Sequence, residues 1–253
     1  MSLRPVVHAY GLARTASDPS EDAYAVEVAA GRVALADGAS SAWRAGDWAA
    51  ALAAAWVEHG PAPAGAAGDA EGWEAGWLDT ARAAFDAAEG DAQARPWFAQ
   101  AAAARGAHAA FLGLTLADLD GPQPTWRSHA VGDVCAFHVR AGRLLAATPL
   151  DDPDAFTSRP DLLTSLPDAP APPPVVAAGT LAAGDVLLLA TDALAALLLR
   201  LDGPDRPVWD HVARVDRAGF AALVAAGLRA GLAERDDMTL VRVRLADGAG
   251  ATA

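Results

Sequence analysis

The order in which the hydrophobic period changes along the chain most constrains its fold. Three short apolar runs come first, separated by turn formers: VVHAYGLA, DAYAVEVAA and RVALADG. Helical spacing follows, with Trp48, Leu52 and Trp56 four residues apart and a second apolar stripe from Trp73 to Ala88. A third short helix is expected near Trp97. Strand-like runs then return in AAFLGLTLADL, TWRSHAVGD and VCAFHVRAGRLL, followed by DVLLLATDALAALLLRL, another helix and MTLVRVRL.

This order lacks the regular strand–helix alternation that builds a doubly wound parallel sheet. It predicts an α+β fold in which two mostly antiparallel sheets pack together with helices outside. No internal repeat or linker divides the chain, so residues 1–253 are interpreted as one domain. The segment 149–174 is rich in acids and prolines without a sustained period, which indicates an irregular surface insertion. The first helix is expected to begin at a Ser40 or Ser41 cap.

Charge and cysteine usage narrow the function classes. The net charge is −13, and all basic residues are arginines without a basic stripe, which argues against nucleic acid as a partner. The single cysteine, Cys135, lies in an apolar run and is interpreted as a core residue, so nothing indicates an oxidising compartment. No apolar run reaches the length of a membrane span and no secretion signal is evident. A cytoplasmic protein without a membrane partner is expected.

The acids that could do chemistry stand where apolar strands begin or end. Asp37 ends RVALAD, Asp192 ends LLLATD, Asp236 and Asp237 precede MTLVRVRL, and the pair Glu21–Asp22 precedes AYAVEVAA. If these strand ends meet, the carboxylates would repel one another unless cations compensate them. Hard oxygen ligands favour Mg²⁺ or Mn²⁺ over zinc, and the histidines show no zinc-binding spacing.

Two readings of these acids stay open on position alone. A pair of ions that share a carboxylate is a common arrangement for hydrolysis at phosphorus. Aspartate is also frequent in ordinary turns after strands, and Asp133 in VGDV would by itself be interpreted as a hairpin residue.

Five motifs in order resemble a known family. SEDAY, VALADGAS, AVGDVCAFHVRAGRL, GDVLLLATDAL and RDDMTLVRVR follow one another as in type-2C (PPM-type) metal-dependent serine/threonine protein phosphatases. The resemblance extends from about residue 8 to residue 245. It implies a four-layer α-β-β-α sandwich with a binuclear Mg²⁺ or Mn²⁺ centre between the sheets. It also implies that the segment 149–174 is the family's variable flap.

The resemblance assigns roles to individual residues. Asp37 matches the carboxylate that bridges both ions, and Gly38 supplies a carbonyl to one of them. Asp192 and Asp236 match ligands of the other ion, while Glu21 and Asp22 match the pair that orients metal-bound waters. Asp133, together with Asp192, matches the ligands of a weaker third ion found in many bacterial members.

The sequence departs from the family pattern at several positions. Ala193 stands where glycine usually follows the aspartate, and Asp237 replaces the asparagine often found beside the last ligand. The phosphate-binding arginine usually lies a few residues before the Glu-Asp pair, and Arg14 is the nearby candidate, with Arg44 behind it.

The resemblance implies hydrolysis of phosphoserine or phosphothreonine on a protein, by a water activated at the binuclear centre. The substrate would be a phosphoprotein, with a cognate Ser/Thr kinase as the opposing enzyme in bacterial signalling. The departures leave an alternative, a catalytically degenerate phosphatase that binds a phosphoprotein or kinase without turnover. A phosphatase acting on a small phosphorylated molecule is a third reading.

Overall fold

The computed structural model describes residues 2–60, 73–89, 97–203 and 208–248. The strands in chain order are β1 (Leu3–Leu12), β2 (Asp22–Glu27), β3 (Arg32–Gly38), β4 (His108–Ala117), β5 (Thr125–Val131), β6 (Cys135–Arg140), β7 (Arg143–Thr148), β8 (Leu163–Thr164), β9 (Val175–Thr180), β10 (Val186–Ala190) and β11 (Met238–Asp247). The helices are α1 (Ala45–His59), α2 (Trp77–Glu89), α3 (Trp97–Ala103), α4 (Asp192–Leu201), α5 (Val208–Val212) and α6 (Arg217–Arg229).

The strands form two antiparallel sheets. The first sheet has the order β1-β11-β10-β6-β7. The second has the order β2-β3-β4-β5-β9, with the two-residue strand β8 paired to β4. The last strand, β11, therefore lies in the interior of its sheet, between β1 and β10. The prediction of two mostly antiparallel sheets is confirmed.

Three hydrophobic clusters fill the spaces between four layers. One lies between the sheets and includes Leu35, Leu112 and Leu189. A second joins the β2–β5 sheet to α1 and α2, and a third joins the other sheet to α4, α5 and α6. The helices thus cover the outer face of each sheet, which gives the α-β-β-α order expected from the resemblance.

The fully apolar sequence of β10 follows from this layering. Leu187 and Leu189 enter the cluster between the sheets, whereas Val186, Leu188 and Ala190 enter the cluster beneath the helices. Because successive strand residues point to opposite faces and both faces are covered, each position of β10 is apolar.

The predicted hairpin at Gly132–Asp133 is wrong. Strand β5 belongs to one sheet and β6 to the other, so this turn carries the chain across the sandwich. The turn between β6 and β7 at Ala141–Gly142 is a hairpin. The sequence pattern of successive strands predicts where each strand lies along the chain, but not which sheet each strand joins.

Other local predictions need correction. Helix α1 has Arg44 at its N-cap in the left-handed region, without a side-chain cap, so neither Ser40 nor Ser41 caps it. Residues 39–42 instead form a separate turn closed by the Ala42 amide and the Ala39 carbonyl. Strand β9 and the short helix α5 were not predicted. The 149–174 segment contains a single turn of 3-10 helix, Pro153–Ala155, and the strand β8.

No helix in the described ranges is both long enough and apolar enough to cross a bilayer.

Candidate metal centre

Two of the predicted acids lie opposite each other on neighbouring strands. Asp22 on β2 pairs directly with Asp37 on β3. Asp37 comes two residues after Leu35, whose side chain lies in the cluster between the sheets, so Asp37 shares the face that looks toward the other sheet. The pairing brings both carboxyl groups to the same end of the sandwich.

The other sheet contributes its acids at the same end. Ala190 at the end of β10 pairs with Leu240 near the start of β11, so the residues that follow β10 and precede β11 are neighbours. Asp192 is the first residue of α4, and Asp236 stands two residues before β11. Ala193 lies inside α4 and has no positive φ, so the glycine usual at this position is not required.

A pocket of about 420 Å³ opens between these strand ends. Its lining includes five predicted metal-site residues: Asp37, Gly38, Asp133, Asp192 and Asp236. The lining also includes Ser40, Ser41 and Asp237. The 149–174 segment contributes Thr157, Ser158, Arg159, Pro160 and Leu162. Asp37 and Asp192 are near enough for each to shift the pKa of the other's carboxyl group. Glu21, Asp22 and Arg14 are not part of the lining.

The acids of this site resist ionisation. Burial, followed by the charges of Asp22 and Asp192, raises the pKa of Asp37 well above its ordinary range. Burial also raises the pKa of Asp22 to about 7, although hydrogen bonds from Thr239 and Thr191 oppose the shift. The pKa of Asp133 is raised to about 7, first by burial and then by the charge of Asp192. Carboxylates in such surroundings favour a bound cation.

The donor set fits a hard divalent ion in its chemistry. All the predicted side-chain ligands are carboxylates, and two buried oxygens beside them, Glu21 Oε2 and Asp22 Oδ1, have no hydrogen-bond partner. In the part of the chain that the structure describes, however, no group of three or more His, Cys, Asp or Glu side chains has an arrangement that could hold an ion. Two of the oxygens have other partners: Asp192 Oδ1 accepts from the Ala193 amide and Asp236 Oδ1 from the Asp237 amide. Ion binding would therefore require these side chains to turn.

The backbone at Gly38 is held where a side chain could not fit. A Cβ at this position would lie 2.7 Å from the Ala45 carbonyl carbon and 2.9 Å from the Glu21 carbonyl oxygen. The Gly38 amide donates to that same Glu21 oxygen at 3.2 Å. Close packing of Glu21, Gly38 and α1 therefore explains why the aspartate of VALAD is followed by glycine.

The two candidate arginines differ in their surroundings. Arg14 Nη1 donates to Ser40 Oγ at 3.1 Å and lies 3.8 Å from Asp236 Oδ1, at the edge of the pocket. Arg44 instead donates from Nε to Asp47 at 2.6 Å and lies over the Phe85 ring. The geometry therefore favours Arg14 over Arg44. Arg159, which lines the pocket from the 149–174 segment, was not predicted.

Two hydroxyl residues beside the site were also missed. Thr191, which is fully buried, donates from Oγ1 to Asp22 Oδ2 at 3.2 Å, and Thr239 acts to lower the pKa of the same carboxyl group. Each threonine is next to or near a predicted ligand in sequence, yet its partner lies more than 160 positions away along the chain, at Asp22. No local pattern indicates such a contact.

Solved structures with a similar architecture include serine/threonine phosphatases. The Mycobacterium tuberculosis serine/threonine phosphatase PstP/Ppp is 18% identical, with a TM-score of 0.60 over 98% of this chain and 100% of that one. A PstP catalytic domain in complex with two manganese ions is 17% identical, with a TM-score of 0.62 over 97% and 100%. PppA, a regulatory component of T6SS in Pseudomonas aeruginosa, is 18% identical, with a TM-score of 0.59 over 96% and 99%.

No protein-family model matches the sequence, and no curated protein matches it either. The structural likeness nevertheless covers nearly the whole of each chain. The protein therefore has the fold of type-2C (PPM-type) serine/threonine phosphatases, which confirms at the level of fold the resemblance predicted from the five motifs.

Proposed function

We propose that this chain is a metal-dependent phosphoprotein phosphatase that hydrolyses phosphoserine and phosphothreonine. The observation that supports this most directly is the position of Asp37, Asp192 and Asp236, which come from three distant parts of the sequence and line one pocket. The fold shared with serine/threonine phosphatases supports the same reaction class.

Two divalent ions would be held by the side chains of Asp37, Asp192 and Asp236 and the carbonyl of Gly38. Asp133, which lines the same pocket, would contribute with Asp192 to a weaker third site. When bound, Mg²⁺ or Mn²⁺ would activate water at neutral pH and offset negative charge on the phosphoryl oxygens. The manganese ions of the similar PstP domain support this choice of metal.

The chain's own groups would hold the water and the phosphate. The unpartnered oxygens Glu21 Oε2 and Asp22 Oδ1 are buried acceptors that can orient a water hydrogen. The other oxygen of Asp22 is held by Thr191, so the carboxyl group is fixed in direction. Arg14, at the edge of the pocket, offers a planar guanidinium suited to two phosphate oxygens.

The substrate in this proposal is a phosphoprotein, and a cognate Ser/Thr kinase would be the opposing enzyme. Thr157, Ser158 and Arg159 of the 149–174 segment line the pocket and would contact a polypeptide bound there. The similar PppA is a regulatory component of T6SS, which supports a function in bacterial signalling. The cytoplasmic location stays a prediction from composition.

Hydrolysis of p-nitrophenyl phosphate tests the proposal. We expect turnover with Mn²⁺, its loss with EDTA, and a decrease of at least about 100-fold in Asp37→Asn, since one ligand of both ions is weakened. Asp216→Asn is the matched control, because Asp216 caps α6 and does not line the pocket, so its substitution should leave turnover unchanged.

Two other results would replace the proposal. Tight phosphopeptide binding without turnover in Mn²⁺, Mg²⁺ or other divalent ions would indicate the degenerate binding module instead. Faster hydrolysis of nucleotides or sugar phosphates than of phosphoserine and phosphothreonine peptides would indicate a small-molecule phosphatase.

A further inference from the structure

The loop 13–21 joins the two sheets. The two residues proposed to contact the phosphate and the water lie near its ends. It begins after β1 in one sheet and ends before β2 in the other. Arg14 lies at its start and Glu21 at its end. The hydrogen bonds of Thr15 are local, such as Thr15 Oγ1 to Asp18 Oδ2 at 2.8 Å, whereas the Arg14 side chain reaches Ser40 Oγ at 3.1 Å. These local contacts leave the positions of its two ends to other groups.

One side chain from the opposite end of the sequence binds both ends of this loop. Asp237 Oδ1 accepts a hydrogen bond from the Arg14 amide at 2.5 Å, and Asp237 Oδ2 accepts one from the Glu21 amide at 2.7 Å. The Asp237 residue is 8% exposed, so water competes little for these oxygens. A buried carboxylate that accepts two backbone amides is a strong and directional anchor.

We propose that Asp237 is a positioning residue that fixes Arg14 and Glu21 relative to the pocket. The inference rests on the proposed function, because those two residues are assigned to phosphate and water there. Asp237 lies directly beside the predicted ligand Asp236, and its amide donates to Asp236 Oδ1 at 2.8 Å.

The residue type matters for this role. Two amide donors need two acceptor oxygens, which a carboxylate has and an asparagine does not, since one end of its amide is itself a donor. The aspartate at this position thus serves both ends of the loop at once. The end of the loop at Glu21 is also bonded to the next strand, because the Glu21 carbonyl accepts a hydrogen bond from the Gly38 amide at 3.2 Å. A displaced loop end would therefore also disturb the backbone of a predicted ligand.

Amide hydrogen exchange of Asp237→Asn tests the anchor without reference to activity. We expect exchange at the Arg14 or Glu21 amide to rise about tenfold or more, because one of the two charge-assisted bonds is lost. Exchange in the centre of β3 should stay unchanged, which reports that the variant is folded. Asp237→Glu, which keeps two acceptor oxygens, should restore part of the protection. Unchanged exchange at both amides in Asp237→Asn would overturn the anchor.

Kinetics test whether the anchor serves catalysis. With Mn²⁺ and p-nitrophenyl phosphate, Asp237→Asn is expected to raise KM about tenfold while kcat falls less. In an Arg14→Ala background the same substitution should raise KM by less than about twofold, because the group it positions is already gone. Independent, additive effects of the two substitutions would contradict positioning of Arg14. An inactive wild type would overturn the proposed function, whereas the exchange result would still decide the anchor.

Discussion

The hydroxyl of Thr191 donates a 3.2 Å hydrogen bond to Oδ2 of Asp22 and thereby joins the two sheets beside the pocket. Thr191 follows β10 in one sheet, and Asp22 begins β2 in the other. The same hydroxyl oxygen accepts the Thr239 amide at 3.0 Å. One buried hydroxyl therefore serves as donor and acceptor at once, and both roles depend on a side chain that cannot be replaced by an apolar one of equal size.

Thr191→Val should damage both stability and activity. The valine leaves the Asp22 oxygen and the Thr239 amide without their partner, which costs about 1–3 kcal/mol for a buried unsatisfied group. Manganese-dependent turnover should fall about tenfold or more as Asp22 loses its orientation. Thermal unfolding and p-nitrophenyl phosphate kinetics measure the two effects. Thr191→Ser, which keeps the hydroxyl, should retain most of both; equal damage in the serine variant would contradict this account.

Manganese should stabilise the folded protein. Burial and mutual charge raise the pKa of Asp37 and of Asp192, so a bound cation relieves a repulsion that the metal-free fold contains. At an ion concentration of about 100 times Kd, the gain is about 2.7 kcal/mol, observable as a higher Tm by differential scanning calorimetry. EDTA should reverse it, and Asp192→Asn should remove most of it, while Asp216→Asn should keep it. A Tm insensitive to millimolar Mn²⁺ would refute the ion site.

The sequence predicted which strands lie beside the acids, because each of these strands is a clear apolar run that begins or ends near a carboxylate. Asp37 after VALA and Asp192 after LLLAT are examples. It did not predict the sheet to which each strand belongs. The turn at Gly132–Asp133 has the composition of a hairpin, yet its strands lie in different sheets, since only packing between layers determines that choice.

His129 should make stability depend on pH. The His129 ring stacks on Trp73, with centroids 5.9 Å apart, and burial, followed by the charge of Arg127, lowers its pKa from 6.5 to about 4. The unfolded chain then binds more protons than the folded one between these values, so this contribution to stability is lost as the pH falls from 6.5 to 4. It is constant above that window.

Urea unfolding at several pH values checks this effect. The stability of the wild type relative to His129→Phe should increase from pH 4 to pH 6.5, by at most about 3 kcal/mol. The phenylalanine keeps an aromatic ring against Trp73 but cannot titrate. A difference that is flat across this range would show that His129 is not held in its neutral form.

A side chain at Gly113 on β4 should destabilise the protein. A Cβ there would lie 2.2 Å from Cε2 of Trp56, a fully buried ring that also packs edge-on against Trp77. Because the ring cannot move away, Gly113→Ala should cost about 1–3 kcal/mol in the free energy of unfolding. Gly203→Ala is the control, since no atom of the described residues lies within 4 Å of its added Cβ and its effect should be within about 0.5 kcal/mol. Equal stabilities of the two variants would contradict the packing argument.

The features that the sequence did not predict were missed for a physical reason in each case. Strand β9, VVAAGT, is an edge strand of small and partly exposed residues, so its pattern lacks the alternation that marks a strand with one buried face. The N-cap of α1 is Arg44 in the left-handed region, a residue type with no capping preference. The roles of Thr191 and Asp237 depend on partners in the first quarter of the chain. Contacts of this kind depend on the topology of the fold, and the residues next to them in sequence give no indication of them.

The interior position of β11 has a consequence for how the protein is made. Leu3 on β1 pairs with Asp247 on β11. During synthesis on the ribosome, β1 therefore cannot pair with β11 until nearly all of the described chain has been made. Asp236 and Asp237 emerge just ahead of that strand. A nascent chain consequently lacks the predicted ligand Asp236 and the proposed loop anchor Asp237 during most of translation. Premature release before residue 236 should yield a protein without a working pocket rather than a weakly active enzyme.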